Sequence, residues 1–208
     1  TVWGTNENPD GYMQASLAQR PHATAVEAVL PRLMKEFEQL TGRAYAPYEY
    51  LGHPEATDVI VAAGSSLSTI RATITHLLKL DPDRRIGVVD VRAFRPFLVA
   101  DFVRTLPQSV ERIAVLDRSI NHTLQDEPLC ADVSSAVVKG FQGIGGAPRL
   151  PRLPVITGGM YGVGGKDFNP GDVVSILDHL REIGRTNEPW TGFTVGVIDD
   201  INHTSLPD

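Results

Sequence analysis

Short apolar runs alternate along this chain with stretches in which apolar side chains recur every three or four residues. From Thr24 to Leu40, Val26, Leu30, Leu33, Phe37 and Leu40 keep helical spacing, with Gly42 placed to end the helix. Pro31 inside that pattern implies a kink or the true start of the helix. Asp58 to Ala63 is apolar, β-branched and too short for a helix, which makes it a buried strand. Beyond Gly64, Leu67, Ile70, Ile74, Leu77 and Leu78 line one face of a helix that Pro82 ends. Arg85 to Arg92 gives a second strand. Pro96 stands where a helix can begin, with Phe97, Ala100, Phe102 and Val103 feeding the core and Pro107 stopping it. Glu111 to Asp117 gives a third strand, and Leu129, Val133, Ala136 and Val137 mark a helix over Pro128 to Phe141. Gly143 to Pro154, with three glycines and three prolines, must be irregular. Leu153 to Thr157 is a short strand running into a glycine-rich loop, Gly158 to Gly165. Asn169-Pro170 then caps a helix striped by Val173, Ile176, Leu177, Leu180 and Ile183, and Phe193 to Ile198 closes the set as a strand.

Strands that are nearly all apolar, each followed by a helix, predict a mostly parallel sheet covered on both faces. The expected architecture is a three-layer α/β/α sandwich of about five strands. Residues 1 to 21 are polar, with Asn8-Pro9-Asp10-Gly11 as a turn signal, and are expected to form an arm lying on another surface. Residues 43 to 56, rich in Tyr, Pro and Gly, look like a connector. The expected organisation is an arm and helix over 1–50, the α/β domain over 51–201 and a linker to a following domain over 202–208.

Composition narrows the function classes. The chain has 208 residues, enough for one sizeable core, and a net charge of −6 gives no electrostatic reason to expect nucleic acid or an acidic membrane surface. No apolar run approaches the ~20 residues of a membrane span. Cys130 is the only cysteine, so no disulfide framework and no cysteine set for a metal or iron–sulfur cluster is available, and a reducing, cytoplasmic compartment fits best.

Candidate chemistry sits at the turns. Gly64-Ser65-Ser66 opens a helix directly after a strand, so Gly64 can form the corner while Ser65 or Ser66 caps the helix. The same geometry can cradle a small anion on backbone N–H groups. In sequence the nearest basic residue is Arg71, whereas anion sites usually recruit charge, so capping is the simpler reading. The loop Gly158 to Asp167 lacks the Walker arrangement, because Gly165 intervenes before Lys166 and Asp167 stands where a hydroxyl would hold magnesium. It fails the dinucleotide pattern too, since Asp167 replaces the third glycine of Gly162-x-Gly164. The six histidines are scattered without metal-ligand spacing, and His76 and His179 fit solvent-edge positions of amphipathic helices. Asp117 and Asp199-Asp200 are carboxylates at strand ends, more simply turn or cap residues than an acid–base couple. No serine sits in G-x-S-x-G. The Asn-His-Thr triplets at 121–123 and 202–204 match the glycosylation sequon, without a secretory signal to give it meaning. No complete catalytic set emerges, which points to a domain that acts together with others.

Several stretches taken together are more specific. Asn8-Pro9-Asp10 with Tyr12-Met13-Gln14, Leu40-Thr41-Gly42-Arg43-x-Tyr45 and Tyr48-x-Tyr50-x-Gly52-x-Pro54-Glu55-Ala56 follow one another as landmarks. Val59 to Ser65, Arg92-Ala93-Phe94-Arg95-Pro96-Phe97, Ile113 to Arg118, Tyr161-Gly162-Val163-Gly164-x-Lys166-Asp167-Phe168 and Phe193 to Asp200 continue the series. In collinear order over nearly the whole chain, this resembles the second domain of the pyruvate:ferredoxin (flavodoxin) oxidoreductase family, a domain similar to the C-terminal domain of transketolase. The resemblance implies a non-catalytic part of a much longer, dimeric enzyme. That enzyme would decarboxylate pyruvate oxidatively with thiamine pyrophosphate, Mg, iron–sulfur clusters and CoA, forming acetyl-CoA and passing electrons to ferredoxin, flavodoxin or NADP. No Gly-Asp-Gly…Asn motif for the thiamine cofactor is present, so the fragment alone is expected to be inactive, with any contact to cofactor coming from Gly64, Ser65 and Ser66. The family's Gly- and Pro-containing loop after Asp117-Arg118 is replaced by Ser119 to Asp126, which changes the φ values that loop can reach. The altered loop would also fit a fused relative such as the NADP-linked pyruvate enzyme, or a scaffold domain of the same descent in a sulfite reductase flavoprotein subunit.

Overall fold

A computed structural model describes residues 8–123, 126–199 and 201–207. It divides into two compact units, with the boundary between Ala46 and Pro47. The first unit is helical. Helix α1 (Pro9–Leu17) starts at Asn8, whose Oδ1 accepts a hydrogen bond from Gly11 N at 2.7 Å. The Asn8-Pro9-Asp10-Gly11 signal therefore marks a helix N-terminus and not a free turn, because Asn satisfies an early N–H and Pro suits the first helical position. Helix α2 (Arg20–Thr41) begins four residues before the periodic stretch and runs through Pro31. It ends at Gly42, whose φ of 71° places it in the left-handed region.

The second unit holds one six-stranded sheet. In chain order its elements are β1 (Tyr48–Gly52), β2 (Asp58–Ala62), α3 (Ser66–Leu80), β3 (Ile86–Val91), α4 (Val99–Thr105), β4 (Arg112–Asp117), α5 (Pro128–Gln142), β5 (Val155–Met160), α6 (Pro170–Thr186) and β6 (Phe193–Thr194). The strand order is β1-β3-β2-β4-β5-β6, and all neighbours are parallel except β1 against β3. Helices α3 and α6 pack together, as do α4 and α5. Between them Val59, Ile60, Val61, Ile113, Ala114 and Val115 are fully buried, as strands covered on both faces require.

The strands depart from the pattern in the sequence at three places. Tyr48–Gly52, a connector by composition, is instead the antiparallel edge strand, anchored by Tyr48. The Tyr48 hydroxyl donates to Ala93 O (2.9 Å) and accepts from Leu98 N (2.8 Å). Strand β5 extends through Gly158 and Gly159 because those glycines serve close approach: a Cβ on Gly159 would lie 2.1 Å from the Phe193 ring, which covers it from the neighbouring strand. The last strand is only Phe193–Thr194. Val195 stays buried and its N–H still reaches Met160 O (3.1 Å), but Gly196 then turns at φ 72° and ends the pairing.

Pro96 does not open a helix, since α4 begins at Val99. His179, expected at a solvent edge, is 9% exposed. It is held between Trp190 and Phe193, with ring centroids 5.5 and 4.8 Å away, and its Nε2 meets Trp190 O at 3.0 Å. Burial lowers its pKa below the ordinary histidine value.

Candidate functional site

Strands β2 and β4 lie side by side, yet the chain leaves β2 into α3 on one face and β4 into α5 on the other. A crevice opens at such a switch point, outside the carboxyl ends of the strands. Here it is a cleft of about 180 Å³ lined by Ser65, Ser66 and Thr69 after β2, Arg118 after β4, and Tyr161 with Gly165 to Phe168 after β5.

Each wall follows from local chemistry. Gly64 takes φ 84° with open space where a Cβ would sit, so the turn into α3 needs glycine for its backbone and not for room. Ser65 lies in the helical region and makes no side-chain capping bond, and Ser66 lies inside the first turn. This corrects the capping role expected of both serines: a helical φ, ψ at the N-cap swings the Ser65 hydroxyl away from the following N–H groups. Ser66 instead meets Tyr161, Oγ to Oη 2.8 Å, in a buried hydrogen bond. Tyr161 is further fixed by Phe168, ring centroids 4.9 Å apart. Its neighbour Gly162, at φ 62°, turns its carbonyl to accept from Arg118 Nε at 2.8 Å. The start of α3, the end of β4 and the loop after β5 are thereby tied around one cleft.

Arg118 and Lys166 bring to that cleft the positive charge that Gly64-Ser65-Ser66 lacks in sequence. Among the described residues no ion pair engages either of them, and Asp167 is the one carboxylate of the lining. Arg71, the nearest cation in sequence, faces elsewhere: it approaches Glu49 (3.5 Å) and Asp90 (3.9 Å), beside Arg92, which pairs with the same two carboxylates. Arg118 and Lys166 follow strands other than the one that leads into Gly64, so no local motif links them to that turn. The parallel register of β2, β4 and β5 is what brings the three segments together.

The other carboxylates at strand ends are structural. Asp117 is buried, and its two oxygens accept from Leu129 N (2.9 Å) and Cys130 N (3.0 Å), closing the start of α5. Burial raises its pKa, and the two N–H groups oppose that rise. Asp199 gathers Ile201 N, Asn202 N and the Thr204 hydroxyl into a loop, and these donors hold its carboxyl far below the usual range. Asp200 lies outside the described residues. Cys130 is buried and its thiol is pushed up to about 12, chiefly by desolvation, so it is no nucleophile. Among the described residues no group of His, Cys, Asp or Glu could hold a metal ion, and no helix is long and apolar enough to cross a membrane. At about 180 Å³ the cleft has room for a phosphate-sized group.

The architecture is that of a mixed α/β domain with a mostly parallel sheet. Residues 56–173 match the family described as pyruvate:ferredoxin oxidoreductase core domain II, and the chain belongs to that family. Among curated relatives, a putative pyruvate-flavodoxin oxidoreductase of Synechocystis is 41% identical over 98% of this chain and 16% of its own length. A pyruvate:ferredoxin oxidoreductase of Moorella thermoacetica is 38% identical over 98% of this chain and 16% of its own. A probable pyruvate-flavodoxin oxidoreductase of Escherichia coli is 38% identical over 99% and 17%. The chain thus spans about a sixth of the length of these relatives. A solved 2-oxoglutarate:ferredoxin oxidoreductase from Magnetococcus marinus, with 2-oxoglutarate, coenzyme A and succinyl-CoA bound, aligns with 83% of this chain and 24% of its own at 15% identity and a TM-score of 0.44.

Proposed function

We propose that this chain works as a non-catalytic domain of an enzyme that oxidatively decarboxylates pyruvate with CoA, giving acetyl-CoA and CO2 and passing electrons to ferredoxin or flavodoxin. The observation that carries the reading is the end-to-end match of this chain to pyruvate oxidoreductases at 38–41% identity. Mg, the iron–sulfur clusters and the greater part of thiamine pyrophosphate would be held by other parts of a cytoplasmic, homodimeric protein, in keeping with a single buried cysteine here. The helical segment up to Ala46 would form the arm. The transketolase C-terminal-like domain would start at Pro47, ahead of the expected residue 51 because β1 begins at Tyr48, and would include Leu206, which packs in its core. The named relatives favour this over a scaffold role in a sulfite reductase flavoprotein.

Within that enzyme, the cleft at Gly64, Ser65 and Ser66 takes one phosphate group of CoA or of thiamine pyrophosphate. The N-terminus of α3 and the cations of Arg118 and Lys166 supply the attraction. The test is pyruvate- and CoA-dependent reduction of a viologen dye by the full-length protein, with the 208-residue chain alone as the control expected to be inactive. Activity from this chain by itself, or a full-length protein that ignores pyruvate, would refute the reading.

A further inference from the structure

The two helical layers of the sheet finish their outer faces differently. Helix α6 turns a charged face outward, with Asp178 joined to Arg181 (2.8 Å) and Glu182 to Arg185 (2.5 Å). Such pairs three residues apart are what a solvated helix face carries. Helix α5 carries only two charges, Asp132 and Lys139, and Asp132 is engaged by Arg95. Its outward positions include Ala131, Ser135, Val138, Phe141 and Gln142, and Val138 and Phe141 share one side as an i, i+3 pair.

The C-terminal turn enlarges this apolar stretch. Gly143 takes φ 70°, its N–H reaches Gly140 O (3.2 Å), and Ile144 N reaches Lys139 O (2.9 Å). This paired arrangement folds the chain back so that Ile144 returns toward the turn holding Val138. Even so, Val138 is 40% exposed, Phe141 40% and Ile144 52%. A backward-folded apolar residue would normally finish the cap by covering its neighbour, and here all three stay open to an outside surface.

We propose that the Val138–Phe141–Ile144 face of α5 is covered by an apolar surface of another domain of the same polypeptide. The inference rests on the reading that this chain is one part of a longer protein. Relatives aligned over this whole chain are about six times its length, which supplies the partner surface. Val138, Phe141 and Ile144 are themselves uncharged and the exposed Lys139 stands at their border, so this side suits an apolar partner. It is also small: three partly exposed side chains fall far short of the ~800 Å² per partner that a stable free-standing dimer uses. Within one chain, by contrast, the partner is already tethered and little area is needed.

A photo-cross-linking amino acid at position 141 of the full-length protein tests this. The expected result is a cross-link to a peptide outside the 208 residues, with the denatured mass unchanged. A product of twice the mass would assign the face to a second copy and overturn the proposal. So would absence of any cross-link, or a cross-link only within this chain. Hydroxyl-radical footprinting of the unsubstituted full-length protein guards against disturbance by the probe: Phe141 and Ile144 should be protected several-fold relative to Leu80, which is 71% exposed here, and equal oxidation overturns the proposal. A denatured gene product of only about 22.6 kDa would instead refute the underlying multidomain reading, before this face is in question.

Discussion

Ser66 and Tyr161 share a buried hydrogen bond of 2.8 Å across 95 residues of sequence, joining the first turn of α3 to the end of β5. Tyr161→Phe keeps the ring against Phe168 and removes only the hydroxyl. We expect a loss of about 1 kcal/mol in unfolding free energy, measured by urea denaturation, and a similar loss for Ser66→Ala. Combined, the two should cost clearly less than their sum, since both remove the same bond. Additive losses would show that the pair does not couple.

Lys166 should matter to an anion and little to the fold, whereas Arg118 also holds Gly162 O. In the full-length protein, Lys166→Ala is expected to raise the apparent KM for CoA or weaken thiamine pyrophosphate binding by about tenfold, the size of one lost charged contact, with kcat retained. Whichever ligand responds identifies the phosphate. No change in either would remove the cleft from the binding surface.

The Asp117 carboxylate satisfies two N–H groups at the start of α5. Asp117→Ala leaves both without this partner and is expected to cost about 1–2 kcal/mol, read as a lower urea midpoint with unchanged slope. Asp117→Asn retains one acceptor oxygen and should recover part of the loss.

His179 gives the domain a pH dependence of defined sign. Its folded pKa lies below the unfolded value of about 6.5, so the unfolded chain binds the proton more readily. The stability it contributes is fully present above that value and is lost as pH falls toward the folded pKa. Unfolding free energy should therefore decline below about pH 6.5, and His179→Phe should flatten that part of the profile while leaving the rest. An unchanged profile in the variant would contradict this.

Gly159 tests the close approach at the sheet edge. In Gly159→Ala the new methyl would meet the Phe193 ring at 2.1 Å, so the ring or β6 must shift. We expect a loss of about 1–3 kcal/mol, with faster amide exchange at Val195, whose N–H bonds Met160 O.

Periodicity alone discloses the buried strands and the helices α3, α5 and α6, because each has a continuous apolar run or a clear stripe. It misses β1, where Tyr48 and Tyr50 alternate inside a stretch that Pro and Gly make look irregular. Tyr50 fits there because Gly87 on the adjacent strand leaves space for its ring, with a Cβ at Gly87 only 2.3 Å from the Tyr50 hydroxyl oxygen. His179 misleads for a related reason: its neighbours Trp190 and Phe193 come from beyond the end of its helix. In the cleft, Gly64 and the two serines are legible as a strand-to-helix turn. Their cations are not, since Arg118 and Lys166 arrive from other strand ends and no local spacing encodes that meeting.

Among the described residues, every buried apolar side chain of the core, from Tyr48 to Leu206, and every strand pairing lie beyond Ala46. The sheet is therefore complete in its own contacts, and a polypeptide beginning at Pro47 would retain all of its registers. The α/β unit is in this sense a separable building block, whose folding information lies within its own stretch of the chain.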